Sequence, residues 1–169
     1  RTLQLCMIAS GFHWYGPAQS RGSIDDTWRR FGHALRFSEY FYDPGFLPVA
    51  DATERVEVTG GGSERVLWEP FVFAREAGKV REALVHLINL PQSDYIIQRH
   101  ETPPARTDLS VTVSLAPGAR VTECWSISPD PQPHATQIDW EADAAGRVLC
   151  RVPELRSMTS LVIRSEDRN

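Results

Sequence analysis

Residues Glu82–Leu90, EALVHLINL, are apolar on both faces of an extended chain, with Ala83, Val85 and Leu87 alternating against Leu84, His86 and Ile88. A strand of this kind must be covered on two sides, which places it in the middle of a sheet. Pro91 closes it, because a proline has no N–H to give to a ladder. Working outward, the same two-residue period continues on both sides. Arg55–Val58 is a short strand followed by the turn Gly60-Gly61-Gly62-Ser63, and Val66–Ala74 joins the central strand through a hairpin at Glu76-Ala77-Gly78-Lys79. Downstream, Asp108–Leu115 alternates Leu109, Val111, Val113 and Leu115 inward against Ser110, Thr112 and Ser114 outward. Val121–Ser128, Ala135–Glu141, Arg147–Val152 and Met158–Arg164 complete the series, separated by Pro117-Gly118, a proline-rich loop and Asp143-Ala144-Ala145-Gly146. Eight short strands at near-regular spacing predict an antiparallel β-sandwich of immunoglobulin-like or Greek-key type. The irregular connection 91–107 and the charged end 165–169 lie outside this pattern.

The first 46 residues read differently. Arg1–Tyr15, RTLQLCMIASGFHWY, is apolar almost without interruption from Leu3 to Ala9 and then stops at Ser10-Gly11. It predicts a strand buried on both faces, as in a parallel sheet covered by helices. Ser23 is the expected N-cap of a helix running to Tyr42, with Asp25 and Asp26 at its positive end. Ile24, Trp28, Phe31 and Leu35 form its expected apolar face, and Asp43-Pro44-Gly45 stops it. Ten of the sixteen aromatic residues fall within these 46 positions, more than one helix and one strand can bury together. They require a further surface, supplied by the β region or by another domain. The chain therefore divides into residues 1–46, a strand–helix unit, and residues 47–169, the sandwich.

Composition excludes some functions. A net charge of −4 and a pI near 5.7 offer nothing to nucleic acid or to an anionic membrane, and no apolar run reaches transmembrane length. The three cysteines, Cys6, Cys124 and Cys150, fall in predicted strands, where a small buried hydrophobe is the ordinary meaning. A Cys124–Cys150 disulfide requires that their strands face one another, and the cellular compartment stays open. His100 and His134 lack ligand spacing to each other or to a cysteine, so neither a metal nor a cofactor is expected. Gly60-Gly61-Gly62 lies between strands and is not a phosphate loop.

Candidate chemistry gathers at the end of the opening run. Gly11 lets a backbone come close, and His13, Trp14 and Tyr15 provide a hydrogen-bonding ring beside aromatic faces, a combination suited to a sugar. The alternative is a half-buried histidine among packing aromatics. Asp25 and Asp26 are accounted for as helix N-terminal residues, Glu39 and Asp43 as a solvated or domain-contacting edge, and His86 as a core or sheet-face histidine. Trp68, Trp125 and Trp140 read as core, or as a carbohydrate platform on the sandwich.

A strand ending in Ser10-Gly11-Phe12-His13, a helix running into FSEYFYDPGFLPV (37–49) and a β region containing LVHLIN (84–89) resemble the C-terminal portion of glycoside hydrolase family 66, the dextranases and cycloisomaltooligosaccharide glucanotransferases. The resemblance implies that residues 1–15 are the last strand and 23–42 the last helix of a (β/α)8 barrel, followed by a β domain. It implies an α-glucan substrate bound near Gly11, His13, Trp14 and Tyr15, and catalytic carboxylates on a barrel portion that precedes these residues. Pro17 stands where the family pattern carries a glutamate. No catalytic residue is carried over, and residues 1–169 alone are expected to be inactive. Two other readings stand beside this one: a non-catalytic carbohydrate-binding or adhesion module, and a purely structural domain.

Overall fold

The computed structural model of the chain describes residues 2–11, 21–92 and 102–167. Among them the chain is mainly antiparallel β, in two stacked sheets with a helical layer on one side. The helices are α1 (Thr2–Ala9), α2 (Arg21–Arg36), α3 (Ser38–Phe41) and a single turn, α4 (Ala52–Arg55). The strands are β1 (Leu47–Pro48), β2 (Val56–Thr59), β3 (Val66–Leu67), β4 (Val72–Ala77), β5 (Val80–Asn89), β6 (Leu109–Ser114), β7 (Ala119–Ser128), β8 (His134–Gln137), β9 (Trp140–Ala142), β10 (Arg147–Val152) and β11 (Met158–Asp167). One sheet has seven strands in the order β1-β4-β5-β11-β7-β8, with β3 also paired to β5; the other runs β2-β6-β10-β9.

β5 is the central strand that its sequence predicts, paired with β4 and β3 along one edge and β11 along the other. Val85 and Leu87 face the second sheet, where they join Val111, Val148, Leu161 and Ile163 in the sandwich core. Leu84 and Ile88 face the opposite way, into a second core with Leu5, Ile8, Tyr40, Phe41, Ile127 and Val162. The seven-stranded sheet is thus the middle layer of three, buried on both faces.

The expected opening strand is a helix. A strand leaves its N–H and C=O groups needing a neighbour, and among the described residues no parallel strand is present to pair with it. A helix satisfies those groups internally, and the run from Leu3 to Ala9 has no period that selects one form over the other. Gln4, Leu5, Ile8 and Ala9 are buried, at helical spacing. Cys6 therefore lies on a helix. Residue 1, the loop 12–20, residues 93–101 with His100, and residues 168–169 are outside the described residues.

The second helix departs from expectation in three ways. It begins at Arg21, so Ser23 lies inside it and is not its N-cap. It breaks at Phe37, whose ψ of 36° is non-helical, and resumes as α3. Two residues of its apolar stripe face out, Trp28 at 66% and Leu35 at 51% exposed, while Arg30, His33 and Ala34 are buried. The break is what turns Tyr40 and Phe41 down onto the sheet, and those two rings, more than the stripe, attach the helical layer.

Two expected strands divide. Val66–Ala74 becomes β3 and β4, interrupted at Trp68–Phe71, and both follow the same edge of β5. Ala135–Glu141 becomes β8 and β9, which belong to different sheets because the chain crosses from one to the other at Ile138-Asp139. The turn expected at Gly60–Gly62 has a structural function. Gly62 has φ +77°, and a methyl group there would overlap the guanidinium of Arg106. Arg106 is buried and donates from Nε to Asn89 Oδ1 at 2.8 Å, while Asn89 Nδ2 reaches the carbonyls of Pro104 and Arg156, each at 2.9 Å. The triglycine stretch makes room for the arginine that ties the end of β5 to the neighbouring loops. Gly62→Ala is expected to lower stability by about 2 kcal/mol, from a strained left-handed φ plus displacement of Arg106, read as a lower urea midpoint at unchanged slope.

Candidate functional site

A cavity of about 200 Å³ opens where the C-terminal end of α1 meets α3 and the helix-facing side of the sheet. Ala9, Ser10 and Gly11 form one rim, and Tyr40 to Asp43 with Phe46 form the other; Phe73 of β4 and His86 of β5 make the floor. Gly11 ends α1 with φ +75°, its N–H bonded to Ile8 O at 2.9 Å. A Cβ there would stand 2.9 Å from the carbonyl oxygen of Phe41. This glycine is needed for the close packing of α1 against the Phe41 backbone.

His86 is 1% exposed. Its ring stacks on Phe41 at 5.0 Å and 14°, meets the edge of Phe73 at 5.7 Å, and shares a 2.6 Å hydrogen bond between Nδ1 and Ser160 Oγ. Burial, aided by neighbouring His33, pushes its pKa down to about 3, so the imidazole is neutral. His33 lies beyond Phe41, in edge contact with it at 5.3 Å. Burial lowers its pKa to about 4 against an opposing pull from Asp130.

Beside the cavity, Asp43 is held by a charged row that crosses four strands. Arg75 of β4 is opposite Glu82 of β5, Glu82 opposite Arg164 of β11, and Arg164 opposite Glu123 of β7. Glu82, only 5% exposed, accepts from Arg75 Nε at 3.0 Å and from Arg164 Nε and Nη2 at 3.0 and 2.9 Å. Arg75 also pairs with Asp43, whose carboxylate accepts the Gly45 N–H at 2.7 Å. The Gly45 amide and the arginine hold Asp43 below the usual carboxylate pKa. Arg75 lies over the Phe46 ring at 4.4 Å and Arg164 over Trp125 at 4.9 Å. Desolvation, with Glu39 and Glu82 nearby, raises the Tyr40 phenol to about 12, so it keeps its proton.

This arrangement can hold a small ligand that is polar on its edges and apolar on its faces. Aromatic rings line the walls, Asp43 is a fixed acceptor, and the tyrosines and His86 add neutral hydrogen-bonding groups. Among the described lining residues Asp43 is the one acid, and Glu82 is neutralised behind it. No group of three or more His, Cys, Asp or Glu side chains converges on a metal position among the described residues.

Of the residues singled out in the sequence, Gly11 lies at this cavity, while His13, Trp14 and Tyr15 are outside the described residues. Asp43, read as an edge residue, is the site's acceptor; Asp25 and Glu39 are exposed. His86 is the buried histidine expected, but on the helix-facing parity of β5. Trp68, Trp125 and Trp140 do not form a platform, since Trp68 and Trp140 pack on the sandwich core and Trp125 on the helix-side core. Phe46 and Phe73 gave no signal in the sequence beyond aromatic type.

No family model and no curated protein matches the chain. Among solved structures, its fold is similar to that of a cycloisomaltooligosaccharide glucanotransferase from Paenibacillus sp. in complex with cycloisomaltoheptaose, at TM-score 0.71 and 16% identity over 95% of this chain. A weaker likeness, TM-score 0.45 at 16% identity over 70% of this chain and 16% of the other, is to α-L-fucosidase isoenzyme 2 from Paenibacillus thiaminolyticus. The chain spans 26% of the glucanotransferase, and the likeness is one of fold.

Two outcomes follow from the charges. His33 and His86 resist protons that the unfolded chain accepts near pH 6.5, so their contribution to stability is full above that pH and is lost as pH falls toward about 4 for His33 and about 3 for His86. Urea midpoints measured across this range should decline, and His33→Leu should flatten the decline. Glu82→Gln leaves two arginines competing for a neutral amide and is expected to cost about 2 kcal/mol, the partial exposure of both guanidinium groups moderating the loss, as measured by the urea midpoint at pH 7.

Proposed function

We propose that the chain is the C-terminal portion of a glycoside hydrolase-like protein acting on α-glucans, with the cavity at the end of α1 forming part of the sugar site. On this reading residues 1–46 adjoin a preceding catalytic portion, and residues 47–169 are a β-sandwich that supports them. Gly11, His13, Trp14 and Tyr15 line the substrate, and the two catalytic carboxyls belong to the preceding portion. The observation that carries the reading is the cavity itself, in which stacked aromatic rings, one fixed carboxylate and a neutral buried histidine adjoin Gly11. A sugar ring presents apolar faces and hydroxyl edges, which such a wall can match. The fold likeness to a glucanotransferase held with a cyclic oligosaccharide supports the same class of ligand. The outward stripe of Trp28 and Leu35 on α2 supports a further protein surface against the helical layer.

The test is a calorimetric titration of the chain with isomaltooligosaccharides, together with an assay for released or transferred sugar. Binding is expected without turnover. Asp43→Asn is expected to weaken it about tenfold, the order of one charge-assisted hydrogen bond, and Phe46→Ala at least as much, with the urea midpoint of each variant recorded alongside. Absence of binding, or turnover by the chain alone, overturns the proposal. Binding lost on Trp68→Ala or Trp140→Ala but retained in Asp43→Asn would instead establish a carbohydrate-binding module on the sandwich.

A further inference from the structure

Cys124 and Cys150 come from different sheets, β7 and β10, and both point into the sandwich core, 3% and 0% exposed. Their neighbourhood is the corner where the chain changes sheet. Ile138 N–H bonds the carbonyl of Cys124 at 3.3 Å, Trp140 is the register partner of Cys150, and Asp139 between them accepts the Arg151 N–H at 3.0 Å. One short crossover therefore holds both cysteines from the same side. Stacked sheets ordinarily stand about 10 Å apart, whereas here β7 and β10 approach to within 8 Å between Cα atoms. Cys150 is near enough to raise the pKa of the Cys124 thiol.

We propose that Cys124 and Cys150 are a disulfide-forming pair that fastens the two sheets at this corner. Cys6 is excluded as a partner for either, because it packs against the helix-side core, on the other face of the seven-stranded sheet. The same burial sets when the bond forms. Contact with Cys150 and desolvation both raise the Cys124 thiol, so in the finished fold it stays protonated and does not exchange. The bond is made while the sandwich is closing and is shielded afterwards. A glutathione disulfide serves as the oxidant. One cysteine thiolate attacks it, its S–S bond breaks, and a glutathione thiolate leaves. The second cysteine thiolate then attacks the protein sulfur of the mixed disulfide and expels the second glutathione. The chain loses two electrons and two protons, and the protons end on the two glutathione thiols.

The test unfolds the chain in denaturant with reductant, refolds it in a buffer of oxidised and reduced glutathione, and traps remaining thiols with maleimide for peptide mapping. Modifiable thiols should fall from three to one, with Cys6 labelled and a crosslinked peptide carrying Cys124 and Cys150. Reduction should lower the urea midpoint of this species. Cys6→Ser should retain the crosslink, and Cys150→Ser should abolish it. The same mapping on chain secreted into an oxidising bacterial periplasm gives the result without a refolding step. Three labelled thiols from both routes, crosslinks through Cys6 in comparable amount, or an oxidised form less stable than the reduced one would each overturn the proposal. None of these readouts depends on carbohydrate binding, so this proposal and the functional one can fail separately.

Discussion

β5 must be covered on both faces and paired along both edges, and the architecture follows from meeting that demand. Its odd-numbered apolar residues, Val85 and Leu87, are covered by a second sheet. The even-numbered Leu84 and Ile88 require something else, and α1 and α3 provide it through Leu5, Ile8, Tyr40 and Phe41. Hydrophobic burial contributes about 25 cal/mol per Å² of apolar surface, so exposing either face of so apolar a strand would remove a large part of the stabilisation. The helical layer completes the middle sheet and is not an appendage to a finished sandwich.

The charged row grows out of the same strand. Glu82 stands near one end of β5 on the helix-facing side, under the rim of the helical layer, and is accessible only slightly. A buried carboxylate is tolerated when it is paired and hydrogen-bonded, and the register of β4 and β11 places an arginine on each side of it. Those arginines then reach outward, Arg75 to Asp43 and Phe46, Arg164 to Glu123 and Trp125. An interaction that neutralises a buried charge thereby also orients Asp43 at the cavity. Structure and candidate site share the same side chains, so substitutions in the row need a stability measurement beside any binding measurement.

The strand pattern was legible in advance because it is local. Alternation at Leu109, Val111 and Val113, a two-faced run at 82–90, and Gly- or Pro-bearing turns between them reflect a side-chain period that needs no knowledge of partners. The gathering of aromatics before residue 46 likewise announced a surface to be covered. His86 reads as a buried ring from its place in an apolar run.

What could not be read was whatever depends on a neighbour. Leu3–Ala9 has the same composition as a buried strand or a buried helix, and pairing partners settle which. Trp28 and Leu35 share a helical face with every sign of burial, yet the break at Phe37 gives the sheet to Tyr40 and Phe41 and leaves that stripe outside. Asp43 looked like a solvated edge until the register of three strands brought Arg75 to it. Periodicity and turn chemistry act over a few residues and are written along the chain, whereas strand pairing, sheet crossover and the meeting of Cys124 with Cys150 arise between segments far apart in it.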